Sequence, residues 1–92
     1  MPPVLRPYAG EDDYWKIRAF LREVYVWHGR RELSWPLLRW DYWRWHGNEN
    51  ITHFQLPAVV FLWEAAGRLA AVLNPENPGE AFFQVHPGRA EP

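Results

Sequence analysis

Two apolar runs in the second half of the chain restrict its fold more than any other feature. Val59-Val60-Phe61-Leu62-Trp63 and Leu69-Ala70-Ala71-Val72-Leu73 flank the short segment Ala65-Ala66-Gly67-Arg68. β-Branched, aromatic and aliphatic runs of this length around a glycine-bearing turn predict two antiparallel strands joined as a hairpin. The turn-rich connector Asn74-Pro75-Glu76-Asn77-Pro78-Gly79 follows, and Ala81-Phe82-Phe83-Gln84-Val85 then predicts a further strand in which Phe83 and Val85 are core residues.

Upstream, Val4 to Tyr8 suits a first strand, and Pro7 confines it to an edge. Glu11-Asp12-Asp13 places acids where a helix N-terminus favours negative charge, and a helical pattern runs from there to about Trp27. Tyr14, Ile17, Phe20, Leu21, Val24, Tyr25 and Trp27 share one broad arc, with Lys16, Arg18, Arg22 and Glu23 on the other. Gly29 can stop this helix. A second helix is predicted from Pro36 to His46, with Gly47 as its terminator and Asn48 to Pro57 as a loop. Its apolar residues form two stripes, Leu38, Tyr42 and Trp45 on one side and Leu37, Trp40 and Trp43 on the other, so the helix needs two covers.

Composition narrows the function classes. The 92 residues fit one small domain, are 48% hydrophobic and carry seven tryptophans, which points to a packed core rather than disorder. A formal charge of −1 gives no electrostatic basis for binding nucleic acid. Cysteine is absent, which removes disulfides, thiol nucleophiles and thiolate metal sites. His46 and His53 have no metal-site spacing, so no metal is expected. With no long apolar run or leader pattern, the chain reads as soluble and cytoplasmic. Trp15, on the polar arc, and Trp35, ahead of the second helix, are the tryptophans expected to contact something outside the core.

The order strand, two helices, hairpin, strand, ending in Gln84-Val85-His86-Pro87, resembles the N-terminal half of the GNAT superfamily of N-acetyltransferases. Gly10-Glu11-Asp12-Asp13-Tyr14-Trp15, Gly29-Arg30-Arg31-Glu32, Asp41-Tyr42-Trp43-Arg44-Trp45-His46 and Val72-Leu73-Asn74-Pro75-Glu76 resemble blocks of an uncharacterised bacterial branch. The resemblance implies an α+β class and a partial acyl-CoA N-acyltransferase fold over residues 1–92, β-α-α-β-β-β, with two helices on a mainly antiparallel sheet. It also implies transfer of an acetyl group from acetyl-CoA to an amine.

In the superfamily a glycine-rich turn at a helix start holds the cofactor pyrophosphate through backbone N–H groups. After Pro87 this chain has only Gly88-Arg89-Ala90-Glu91-Pro92, so the expectation is a truncated domain, inactive as an isolated chain. By resemblance, Phe83, Gln84 and Val85 would meet the pantetheine arm and thioester of acetyl-CoA. The loop carrying Arg30, Arg31, Glu32 and Trp35 would border the acceptor amine. Glu32, Glu64 and His86 are the nominees for a base, with no catalytic residue assigned. The alternative is a non-catalytic dimerisation or docking module, a homodimer or a complement to another polypeptide. It would use the open strand 81–85 and an uncovered Trp40–Trp43 face of helix 36–46.

Overall fold

The computed structural model describes residues 4–27 and 35–88. The chain is α+β, a four-stranded antiparallel sheet with helices. Strand β1 (Val4–Pro7) leads into α1 (Glu11–Trp27), and α2 (Leu37–Tyr42) continues without a break into a π-helical segment, Trp43–Thr52. A single turn, α3 (Leu56–Val59), precedes β2 (Phe61–Ala65), β3 (Arg68–Asn74) and β4 (Phe82–Val85). The sheet order is β1-β2-β3-β4, which makes β1 and β4 its edges. Pro7 sits on the β1 edge, where a missing N–H is tolerated. The β2–β3 hairpin turns on Ala66 and Gly67, both at positive φ (53° and 77°). This is the backbone hand that matches strand twist, easy for glycine and strained for alanine.

Helix α1 buries Tyr14, Ile17, Phe20, Leu21 and Val24 against the sheet. Ile17, Phe20, Leu21 and Leu62 are each 1% exposed or less, and each such side chain contributes about 1.5–3 kcal/mol through removal from water. The buried arc stops earlier than periodicity predicts: Trp27 is 57% exposed. It is the last helical residue, and its ring is covered on one side by His86 at 5.0 Å.

The second helix departs from expectation at Gly47, which is buried mid-helix rather than terminal. A Cβ there would lie 3.3 Å from Trp43 Cδ1, so glycine makes room for the indole one turn back. The end comes later, through Asn48. Its Oδ1 accepts from Thr52 Oγ1 (2.8 Å) and Phe54 N (2.7 Å), and its Nδ2 donates to Phe54 O (3.1 Å). His53 N donates to Asn48 O at 2.8 Å, a five-residue reach, and His53 adopts the left-handed conformation (φ 54°) that stops the helix.

Of the two apolar stripes on this helix, one is core. Trp40 and Trp43 are buried, stacked 5.7 Å apart, and donate their indole N–H groups to Tyr14 O (3.2 Å) and Glu76 O (2.9 Å). The expectation of an uncovered Trp40–Trp43 face is therefore corrected, and it is Leu38, Tyr42 and Trp45 that face solvent. Trp35 is likewise buried rather than outward, whereas Trp15 is exposed as expected.

The sheet has two unlike faces. Cross-strand partners share a face, and the row Arg6, Leu62, Val72, Gln84 looks toward the helices. The alternate rows, Leu5, Trp63, Ala71, Val85 and Pro7, Phe61, Leu73, Phe83, look the other way. That second face is almost entirely apolar and is not covered by any helix among the described residues. Phe83, expected in the core, is 56% exposed there, and Val85 is half-buried. The inward member of β4 is Gln84.

Arg6 fastens three elements. Its guanidinium donates to both oxygens of Asp13 (2.8 and 2.7 Å) and twice to Glu64 Oε1 (3.0 and 2.7 Å), joining β1 to α1 and β2. Asp13, in the first turn of α1, also accepts from Ala9 N at 2.7 Å, reaching back ahead of the helix in the manner of a capping box. The Arg6 guanidinium, helped by that N–H, holds the Asp13 carboxyl below its ordinary value against the opposing effect of burial.

A carboxyl lowered in the folded state stabilises fully above its unfolded pKa, near pH 4, and loses that contribution as pH falls through the folded value. Asp13→Ala is expected to cost about 3 kcal/mol in urea denaturation at pH 7. It should also flatten the loss of stability that the native chain shows below about pH 4.

Candidate functional site at the open edge of the sheet

Strand β4 carries the three residues singled out for cofactor contact, and the structure gives them different roles. His86 N donates to Ala70 O at 2.9 Å, so its main-chain groups point to β3. Alternate residues of a strand direct their N–H and C=O groups to opposite sides. Phe82 and Gln84 therefore share the side of His86, and Phe83 and Val85 turn their amides and carbonyls to the open edge. The Phe83 ring lies on the outer face, edge-on to Trp63 at 5.2 Å.

Gln84 works inward. Its Oε1 accepts from Trp35 N at 2.9 Å, and its Nε2 donates to Asn74 Oδ1 at 3.4 Å. Asn74 Nδ2 in turn faces Pro75 O at 3.4 Å. All three residues are at least 95% buried, so each polar group depends on its neighbour. The chain of amides ties β4 and the end of β3 to Trp35, the first described residue after the charged loop.

An aromatic and cationic wall stands next to this junction. The Arg39 guanidinium lies 4.4 Å from the Trp35 ring and 5.4 Å from the Phe82 ring, and Trp35 and Phe82 are 5.3 Å apart. Glu76 receives both Arg39 Nη2 (2.7 Å) and Nε (3.1 Å), which holds the Glu76 carboxyl below its usual range. At the far end of β4, His86 is 5% exposed, packs between Phe20 and Trp27, and accepts from Gly88 N at Nδ1 (3.2 Å). Beside it an open groove of about 590 Å³ runs along α1, bordered by Trp15, Arg18, Arg22, Val26 and Trp27.

The predicted site residues thus fall into three groups. Gln84 and Trp35, assigned to opposite sides of the reaction, are in direct contact. Phe83 and Val85 present main chain to the open edge. Arg30, Arg31 and Glu32 lie outside the described residues. Of the nominated bases, Glu64 is engaged by Arg6 at the β1 side of the sheet, His86 borders β4, and Glu32 is outside the described residues. Asn74 and Arg39 were not anticipated. Asn74 reads as a turn residue in Leu73-Asn74-Pro75, and no sequence signal marks its partnership with Gln84.

No helix among the described residues is long and apolar enough to cross a membrane, and no three His, Asp or Glu residues among them could hold a metal ion. The chemistry at the β4 edge is main-chain amide hydrogen bonding flanked by one imidazole. Comparison of the chain with family models, with curated proteins and with solved structures finds no match in any of the three.

Removing the Gln84 amide would leave the Trp35 N–H and the Asn74 carbonyl buried without partners. Gln84→Leu is therefore expected to cost about 1–3 kcal/mol. Urea denaturation should show this as a lower midpoint with an unchanged slope.

Proposed function

We propose that this chain is the N-terminal half of a GNAT-like N-acetyltransferase fold, with β4 as the strand along which acetyl-CoA would lie. The observation that carries this reading is the β4 edge, on which the main-chain groups of Phe83 and Val85 have no sheet partner among the described residues. It closes a chain in which β1 is followed by α1, α2 with its π-helical continuation, the single turn α3, and then β2, β3 and β4 on an antiparallel sheet. The apolar outer face of the sheet fits the same reading, because a second layer of the complete fold would cover it.

In the reaction class concerned, an amine nitrogen attacks the thioester carbonyl, the new C–N bond replaces C–S, and the departing thiolate takes up the proton that the amine loses. Phe83 and Val85 would serve the acyl donor through their main-chain groups, while Gln84 faces inward. Arg30, Arg31, Glu32 and Trp35 would border the acceptor, with Gln84 fixing one side to the other. A pyrophosphate-holding glycine turn is not among these 92 residues, so the chain by itself is expected to bind acetyl-CoA only at millimolar concentration and not to turn it over. In amide-resolved NMR, acetyl-CoA should shift Phe83 and Val85 first. An unperturbed β4 at saturating cofactor, or shifts confined to another element, would remove the reading.

A second reading, a non-catalytic dimerisation or docking module, is favoured by the same edge taken with the exposed Phe83, which lies on half-buried Trp63. Here the partner is a second copy, joined edge to edge, β4 against β4. Sedimentation should then show a dimer that Phe83→Asp dissociates, and a monomer at high concentration would exclude it.

A further inference from the structure

Helix α1 carries a second organised face, turned away from the sheet. At about 100° per residue, Trp15, Ala19, Arg22 and Val26 fall on one line opposite Ile17, Phe20, Leu21 and Val24, the residues the helix buries. All four are exposed, Trp15 at 55% and Val26 at 54%. Their alternation of four-residue and three-residue steps is that of a helix–helix seam. The open groove of about 590 Å³ follows this line, with Trp15 and Trp27 in its border. From Trp15 to Val26 the line runs roughly 16 Å, or about three turns. Ala19 is the smallest side chain on it, so a neighbouring backbone can approach closely there. Trp15 is held in place by the Tyr14 ring, edge-on at 4.9 Å, and by the Arg18 guanidinium 5.9 Å from its centroid.

The charges along the line select the occupant. Arg22 is exposed and makes no hydrogen bond or ion pair among the described residues. Arg18, one turn before it, reaches Asp41 Oδ2 through Nε at 2.9 Å. The carboxylate in the lining, Glu23, lies 3.9 Å from Arg68 Nη2, on the flank toward the β2–β3 hairpin. The line is therefore apolar toward both ends and cationic in the middle. A second α1 laid along the same span, in either direction, would bring Arg22 within a turn of its own counterpart, and like charges so placed repel. Nucleic acid would meet the acids Glu11 and Asp12 just ahead of the line. Carboxylates between apolar anchors are the complement that remains.

From this geometry we propose that the outward groove of α1 is a docking site for an acidic amphipathic helix of a partner protein, with its apolar side chains against Trp15 and Val26 and its carboxylates facing Arg22 and Arg18. This is recognition of a helix by a groove, anchored at intervals of three and four residues. Tryptophan and arginine are the residue types that most often carry such interfaces. The inference rests on neither reading of β4, because the seam belongs to α1 and His86 borders the groove only beside Trp27.

The test is an NMR titration of the isotope-labelled chain with a synthetic helical peptide of about three turns. The peptide carries leucines at intervals of three and four residues with glutamates beside them. A peptide with lysine in place of each glutamate, and one of the same composition in scrambled order, are the controls. Saturable shifts at the Trp15 indole N–H and at the Arg22 and Val26 amides are expected with the ordered glutamate peptide alone. Arg22→Glu should weaken the affinity about tenfold or more, and Trp15→Ala several-fold. Both side chains are exposed, so each variant should melt close to the native chain and report binding by a folded protein. Equal binding of the lysine or scrambled peptide, unchanged affinity in Arg22→Glu, or shifts confined to Phe83 and Trp63 on the outer sheet face would each overturn the proposal. Shifts at Trp15 that follow protein concentration without peptide would give the groove to a second copy and overturn it too, as would the absence of binding at millimolar peptide.

Discussion

The guanidinium of Arg6 is where the layers of this protein are joined. It lies on the helix-facing row of the sheet, and through Asp13 and Glu64 it connects the first strand, the first helix and the hairpin. A charge in that position is held by four bonds to the carboxylate oxygens of Asp13 and Glu64, with a further contact to Pro7 O, and Asp13 is itself fixed by a backbone N–H. The acids at the start of α1, which alone suggest only a favourable interaction with the helix dipole, include one that fixes how the helix sits on the sheet.

Much of this architecture was legible in the chain, and the exceptions have identifiable causes. The hairpin and α1 follow from local pattern: β-branched and aromatic runs around Ala66-Gly67, and a run of apolar residues at helical spacing from Tyr14 to Val24. Strand β4 was recognised but its faces were reversed. Phe82-Phe83-Gln84-Val85 has two adjacent phenylalanines, one of which must point outward, and an inward glutamine becomes favourable only when Trp35 N–H and Asn74 are there to meet it. Those partners are remote in sequence and leave no local trace. Gly47 misled for a similar reason, since its role is to admit the Trp43 ring rather than to end a helix. Of the candidate site, the β4 segment could be located as a strand from pattern, whereas Trp35, expected to face outward, is buried. The contact between them could not, and Arg30, Arg31 and Glu32 fall outside the described residues.

The two faces of the sheet divide the molecule's chemistry. On the helix side, the Gln84 and Asn74 amides satisfy one another. On the other side, Leu5, Phe61, Trp63, Leu73, Phe83 and Val85 form a surface with no polar partner to satisfy and little to exclude water. A face of this kind is a natural contact surface, because bringing it against another layer gains apolar burial without stranding a donor. The acyltransferase reading draws on that property through the second layer of the complete fold, whereas the dimer joins its two copies at the edge.

The pairing of β1 with β2 has a consequence for how the chain reaches its native state. Strands β2, β3 and β4 follow one another as a meander and can pair through short connections, whereas Arg6 and Glu64 are 58 residues apart in sequence. Closing so long a loop, with both main helices inside it, carries an entropic cost that nothing in the meander offsets. Folding speed is governed by such remote contacts. The docking of β1 is thus the strand pairing with the largest loop-closure cost, and the Arg6 clamp forms only once that pairing is made.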